Sequence, residues 1–122
     1  MKILIADDEK FSRMLISDTL EELDAELDFA EDGQQALEKL KNEDYHICVI
    51  DNIMPKLSGI EVIENLSADH CPEHIIMLTA MTQQRDQENA RNCGIKHFIT
   101  KPFSPVKLKS LIQQLTKNQS IS

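Results

Sequence analysis

Two short runs of apolar residues, at positions 3–6 and 47–50, constrain the fold most strongly. Each run is continuously apolar and rich in Ile and Val, which indicates a strand that is buried on both faces. Strands of this kind are usually parallel, and parallel neighbours place their carboxyl ends at the same edge of a sheet. The two runs therefore predict a parallel sheet that is covered by other elements on both sides.

Carboxylates follow both runs at the point where each predicted strand ends. Asp7 and Asp8 come directly after the first run, and Asp51 comes directly after the second. A single acid in such a place is most simply a solvated loop residue or a helix N-cap. Three acids at one edge are costly, because two carboxylates about 4 Å apart repel by roughly 4 kcal/mol at an effective dielectric constant near 20. We therefore expect a cation to offset the repulsion.

Length and charge limit the class of protein. At 122 residues the chain is long enough for one domain with a buried core. The net charge of −8 argues against direct contact with nucleic acid, because phosphate backbones require clustered Lys and Arg. The chain has no apolar run long enough for a signal peptide or a membrane span, so we expect a cytoplasmic protein without membrane contact.

The cysteines do not form a recognisable framework. Cys48, Cys71 and Cys93 are odd in number and widely spaced, which is typical of reduced thiols. One local segment, His70-Cys71-Pro72-Glu73-His74, contains residue types that bind zinc. It lacks a well-placed fourth ligand and has the composition of a polar loop, which disfavours a structural zinc site.

Strand and helix patterns alternate along the chain. Strands are predicted at residues 3–6, 26–29, 47–50, 75–78 and 95–99. Helices are predicted at residues 10–23, 33–41, about 60–66, 83–93 and 105–117. Asp32 and Thr82 are expected to cap the second and fourth helices, and Gly94 is expected to end the fourth in a left-handed conformation. Residues 118–122 form a polar tail.

This alternation predicts the fold class. Five strands and five helices joined by short loops indicate a doubly wound, flavodoxin-like α/β domain with one parallel sheet. Right-handed crossovers and burial of the first and third strands favour the strand order 2-1-3-4-5. In that order the crevice lies beyond the carboxyl ends of strands 1 and 3, where Asp7, Asp8 and Asp51 are located.

The residues at this edge suit phosphoryl chemistry. Three carboxylates without convergent histidines favour a hard cation such as Mg²⁺. Thr79 and Lys101 end the fourth and fifth strands and would face the same crevice, where a hydroxyl group and an ammonium group can bind phosphoryl oxygens. Asp51, at the centre, can then act as a nucleophile and form an aspartyl phosphate.

The motifs together resemble one known family. Asp7-Asp8 after an apolar strand, Asp51-x-x-Met54-Pro55-x-x-x-Gly59, Thr79-Ala80 and Lys101-Pro102-Phe103 resemble the receiver domain of two-component response regulators, including the chemotaxis receivers. The resemblance covers residues 1–117, and the four motifs occur in the family's order. Chemotaxis receivers have the 2-1-3-4-5 strand order, so that prediction follows in part from the resemblance.

The resemblance implies a role for each acid. Asp51 is similar to the phosphoacceptor, which takes a phosphoryl group from a histidine kinase or a histidine phosphotransfer protein. Asp8, Asp51 and the main-chain carbonyl of Ile53 are similar to the Mg²⁺ (or Mn²⁺) ligands, and Asp7 is similar to an acid that acts through water. Lys101 would pair with phosphoryl oxygens, and the Lys101-Pro102 bond would be cis.

The resemblance also implies a switch. Thr79 would bind the phosphoryl group, and Phe98 occupies the place of the aromatic switch residue. Helix 4, strand 5 and helix 5 would then present an altered surface to an output domain, to a target protein or to a second copy of the chain. The family are signalling switches that catalyse only their own phosphorylation and dephosphorylation. Ile53 and Met81, which cannot orient an attacking water, stand at two positions that modulate dephosphorylation, so slow hydrolysis is expected.

Two other classes are open on chemical grounds. A flavin-binding electron carrier of the same topology should have a Ser/Thr/Gly-rich phosphate loop after strand 1, where this chain has Asp-Asp-Glu-Lys. A magnesium phosphatase with an aspartyl intermediate should have Asp-x-Asp at its nucleophile, where this chain has Ile53 two residues beyond Asp51. Both sequence patterns therefore favour the receiver.

Overall fold

The structure, a computed structural model, describes residues 1–80 and 84–119 and contains one parallel five-stranded sheet. Its strand order is β2-β1-β3-β4-β5, which confirms the predicted fold class. The strands are β1 (Lys2–Ala6), β2 (Glu26–Ala30), β3 (Ile47–Asp51), β4 (His74–Thr79) and β5 (His97–Thr100). The helices are α1 (Lys10–Thr19), α2 (Gly33–Asn42), α3 (Gly59–Glu64), α4 (Gln84–Asn92) and α5 (Pro105–Gln119).

Apolar side chains cover both faces of the sheet, as the continuous apolar runs predicted. In β1, Leu4 belongs to the cluster on the side of α2, whereas Ile3 and Ile5 belong to the cluster that α1 and α5 complete. All three side chains are fully buried. Successive residues of a strand point to opposite faces, so only a strand with helices on both sides can bury such a run.

The register of the strands sets the position of the crevice. Ala6 of β1 pairs with Ile50 of β3, so the residues that follow, Asp7 and Asp51, lie side by side. Thr79 of β4 pairs with Thr100 of β5, one residue before Lys101. The carboxyl ends of four strands therefore bring these side chains to one edge of the sheet.

Most predicted element ends lie within two residues of the observed ones, and the end of α1 differs most. Helix α1 ends at Thr19 instead of residue 23, although Leu20 is buried and Leu23 packs against the same core. A tight turn follows the helix and keeps both side chains against the core; in this turn the Leu23 amide donates to the Leu20 carbonyl at 3.0 Å. Apolar periodicity thus extends beyond the helical hydrogen bonds.

The start of β5 also differs, because Ile95 closes a helix instead of entering the sheet. Gly94 has a φ of 95°, which confirms the predicted left-handed end of α4. The Ile95 amide donates to the Ala90 carbonyl at 3.1 Å, a bond that satisfies the last turn of α4. Strand β5 therefore begins at His97, two residues later than predicted. The predicted cap Thr82 lies outside the described residues.

In the part of the chain that the structure describes, no helix has the length and apolar content needed to cross a membrane.

Candidate functional site

Asp51 is the central acid of the crevice and is held by two hydrogen bonds. It is the last residue of β3 and is 6% exposed. Its Oδ1 accepts a hydrogen bond from the Ile53 amide at 3.1 Å, and its Oδ2 accepts one from Lys101 Nζ at 2.7 Å. These two bonds fix the carboxylate at the mouth of the crevice.

Asp7 lies beside Asp51 and shares the same cation. It is fully buried, and its Oδ2 is 3.0 Å from Lys101 Nζ. Its Oδ1 accepts a hydrogen bond from the Glu9 amide at 3.0 Å, and Arg13 Nη1 donates to its main-chain carbonyl at 2.7 Å. Asp7 is therefore held through both its side chain and its main-chain carbonyl.

Lys101 reaches the acids from the end of β5. Its amide donates to the Thr79 carbonyl at 2.8 Å, and the Lys101-Pro102 peptide bond is cis, as the resemblance implied. The ammonium group also lies 3.6 Å from Glu9 Oε1, so it faces three carboxylates. One side chain thus links the ends of β1, β3 and β5.

The pKa values of the central pair reflect this arrangement. Burial raises the pKa of Asp51, and the hydrogen bonds from Lys101 and the Ile53 amide offset only part of this effect. Burial of the Lys101 amine works against its protonation, but hydrogen bonds to Asp51 and Asp7 outweigh it and raise the pKa of Lys101. Lys101 therefore stays charged, while burial keeps the charge on Asp51 costly even beside the Lys101 ammonium group.

Four carboxylates converge here in a way that could hold a metal ion. Ligand oxygens of Asp7, Asp8, Glu9 and Asp51 all lie within 4.8 Å of one another, with Asp8 and Glu9 exposed. An all-oxygen, mostly anionic donor set suits a hard divalent cation such as Mg²⁺ and not a soft one. Within residues 1–80 and 84–119 it is the one such group of three or more His, Cys, Asp or Glu residues, so the segment from His70 to His74 does not form one.

The loop after β3 is held firmly against the end of the strand. Ser58 and Glu61 form a capping box at the start of α3, and the Gly59 amide donates to the Asn52 carbonyl at 2.9 Å. A Cβ atom at Gly59 would lie 2.7 Å from the Asp51 carbonyl oxygen, so only glycine fits at this distance. The loop leaves the Ile53 side chain 70% exposed at the rim.

The two residues expected to act as a switch lie on neighbouring strands. Thr79 is 2% exposed at the end of β4. Phe98 is half-buried on β5, packs against the core on the side of α2, and lies under the Arg91 guanidinium at 5.7 Å. The predicted modulating residue Met81 lies outside the described residues.

The structure brings together all the acids that the sequence singled out, and it adds Glu9. Asp7, Asp8, Asp51 and Lys101 form one cluster, with Thr79 on the adjoining strand end. Glu9 was not among the site residues predicted from the sequence. Its place directly after two site acids was the available signal.

Comparison with known proteins agrees with this geometry. The family model described as the response regulator receiver domain matches residues 3–113. The regulatory protein PhoP of Bacillus subtilis is 33% identical over 121 residues, which cover 99% of this chain and 50% of PhoP. The chemotaxis protein CheY of Halobacterium salinarum is 35% identical over 102 residues, which cover 84% of this chain and 85% of CheY.

Solved structures show the same fold. The receiver domain of the Francisella response regulator 1452 is 30% identical and superposes with a TM-score of 0.87, over 97% of this chain and 98% of that one. The chain spans about half the length of the curated transcriptional regulator PhoP, with 50% of that protein covered. The chain therefore belongs to the response regulator receiver domain family of two-component signalling systems.

Proposed function

We propose that Asp51 accepts a phosphoryl group from a phosphohistidine of a sensor histidine kinase or a histidine phosphotransfer protein. The observation that carries the proposal is the position of Lys101 Nζ, 2.7 Å from Asp51 and 3.0 Å from Asp7. A buried acid at the centre of a strand edge, beside a permanent cation and a cluster of oxygen ligands, has the surroundings that an incoming phosphoryl group needs.

The transfer is an in-line displacement. One Oδ of Asp51 attacks the phosphorus atom, the bond between phosphorus and the imidazole nitrogen breaks, and the imidazole leaves with its bonding electron pair. Lys101 neutralises part of the charge on the phosphoryl oxygens, and Thr79 donates a hydrogen bond to one of them after transfer. The chain would also catalyse its own dephosphorylation: water attacks the same phosphorus atom, the bond between phosphorus and the Asp51 Oδ breaks, and inorganic phosphate and the Asp51 carboxylate are released.

Asp8, Asp51 and the main-chain carbonyl of Ile53 would hold a Mg²⁺ or Mn²⁺ ion, with Asp7 acting through water. The acidic donor set fits such an ion. When bound, the ion supplies positive charge to phosphoryl oxygens that would otherwise be repelled by the carboxylates. In its absence Lys101 is the cation that offsets their charge, as its contacts with Asp7 and Asp51 indicate.

Phosphorylation would shift an equilibrium between two packings of the switch. Thr79 would move toward the phosphoryl group, and Phe98 would turn into the space that it leaves. The surface of α4, β5 and α5 would then change and bind an output domain, a target protein or a second copy of the chain. We propose no direct contact of the domain with nucleic acid or membranes. The domain would comprise residues 1–117, and residues 118–122 would form a polar tail.

Phosphorylation with a small donor tests the proposal. Incubation with Mg²⁺ and phosphoramidate or acetyl phosphate should add one phosphoryl group, measured by intact mass spectrometry. Asp51→Asn should remove the mass shift, whereas Asp44→Asn, an exposed acid in the turn before β3, should keep it. A shift that survives Asp51→Asn would show that another residue is the acceptor. Hydrolysis of unrelated small phosphoesters would instead favour the phosphatase.

A further inference from the structure

Glu9 is a carboxylate of the crevice to which the proposed function gives no role. Its ligand oxygen lies within 4.8 Å of those of Asp7, Asp8 and Asp51, and its Oε1 lies 3.6 Å from Lys101 Nζ. Its side chain is 64% exposed, so it reaches the site from the solvent side. It therefore stands at the open rim of the cation site, whereas Asp7 is buried.

The backbone holds Glu9 in place while its side chain has no part in starting the helix. Glu9 occupies the N-cap position of α1, with φ −91° and ψ 119°, but its side chain makes no capping hydrogen bond. Its amide donates to Asp7 Oδ1 at 3.0 Å. The guanidinium of Arg13, one turn further on, contacts the Asp7 carbonyl at 2.7 Å and Glu31 at 3.7 Å. Within the described residues, Glu9 forms an ion pair with Lys101.

We propose that Glu9 is an additional cation-binding residue that tightens divalent ion binding in the crevice, directly or through a bound water. The inference rests on the proposed function only in requiring that the crevice takes a divalent cation. Four carboxylates and one ammonium group leave the cluster with a formal charge of −3, and a dication brings it to −1. Without Glu9 the attraction for the ion is weaker by one unit charge at short range.

Direct measurement of ion binding tests the role of Glu9 without phosphorylation. The Kd for Mn²⁺ is measured by electron paramagnetic resonance, and the Kd for Mg²⁺ by competition, on the whole chain. A unit charge about 5 Å from a dication in a water-like dielectric predicts that Glu9→Gln raises both Kd values by about tenfold. Because Glu9 is exposed and makes no cap, the melting temperature of Glu9→Gln should stay close to that of the wild type.

A matched control separates a local contact from total charge. Glu38→Gln removes the same charge from an exposed position on α2 and should leave the Kd unchanged. The inference is overturned if Glu9→Gln binds Mn²⁺ as tightly as the wild type, or if Glu38→Gln weakens binding equally. Asp8→Asn then tells the two hypotheses apart. If Asp8→Asn abolishes binding while Glu9→Gln does not weaken it, the proposed site stands without Glu9, whereas failure of the wild type to bind Mn²⁺ contradicts both.

Discussion

Removal of the Lys101 charge should destabilise the protein in a way that a divalent cation reverses. Lys101→Met keeps the length of the side chain but leaves Asp7 and Asp51 without the ammonium group that lies 3.0 Å and 2.7 Å away. These acids have side chains 0% and 8% exposed, so water screens their charges poorly. Breaking one partner of a buried pair costs about 3 kcal/mol or more.

Thermal unfolding measures the loss, and Lys109→Met is the matched control. Lys109 pairs with Glu22, whose side chain is 80% exposed, and such surface pairs contribute about 1 kcal/mol or less. At about 4 °C for each kcal/mol in a domain of this size, we expect Tm to fall by about 12 °C in Lys101→Met and by no more than about 4 °C in the control.

Cation and pH dependence identify the cause of the destabilisation. Millimolar Mg²⁺ should raise Tm more in Lys101→Met than in the wild type, because the ion replaces the missing charge in the folded state only. Lowering the pH should also reduce the difference in Tm between the wild type and Lys101→Met. Burial already raises the pKa of Asp51, and its protonation relieves the repulsion between Asp51 and Asp7. A loss no greater than that of Lys109→Met, or an equal Mg²⁺ effect in both proteins, would refute the electrostatic account.

Three further perturbations test other parts of the site. Because the pKa of Asp51 is raised in the folded state, the folded protein binds more protons than the unfolded one, and stability falls as pH rises through that pKa. Asp51→Asn without divalent cation should therefore raise Tm at neutral pH, with a gain that shrinks toward acid pH; a lower Tm at neutral pH would contradict this. Gly59→Ala should lower the free energy of unfolding, measured by chemical denaturation, by about 1–3 kcal/mol, because its Cβ would lie 2.7 Å from the Asp51 carbonyl oxygen. An unchanged free energy of unfolding would show that the loop can shift. Ile53→Asn should speed loss of the phosphoryl group, because an amide at this 70% exposed rim position can orient an attacking water. Mass spectrometry over time measures the decay, and unchanged or slower decay would exclude this role of position 53.

The sequence predicted the fold because the signals are local. Continuous apolar runs, a helix cap and a helix-ending glycine can each be recognised from a few neighbouring residues. The structure confirms the sheet order, the cap in which Asp32 accepts a hydrogen bond from the Gln35 amide, and the positive φ of Gly94. The predicted ends of helices and strands were less accurate where apolar residues stay buried outside the hydrogen-bonded element. Leu23 is partly buried outside the helix, and Ile95 is buried outside the sheet, so apolar patterns overran both elements.

The convergence of Asp7, Asp8 and Asp51 could also be predicted, because strand ends in a parallel sheet share one edge. Only the tertiary structure shows that several of them contact the same cation, the Lys101 ammonium group. The register places Asp7 level with Asp51, β5 delivers Lys101 between them, and the turn into α1 brings Glu9 to the rim. These residues are up to 94 positions apart, and distances of a few ångströms across such separations depend on strand register and side-chain packing, which a local pattern does not contain.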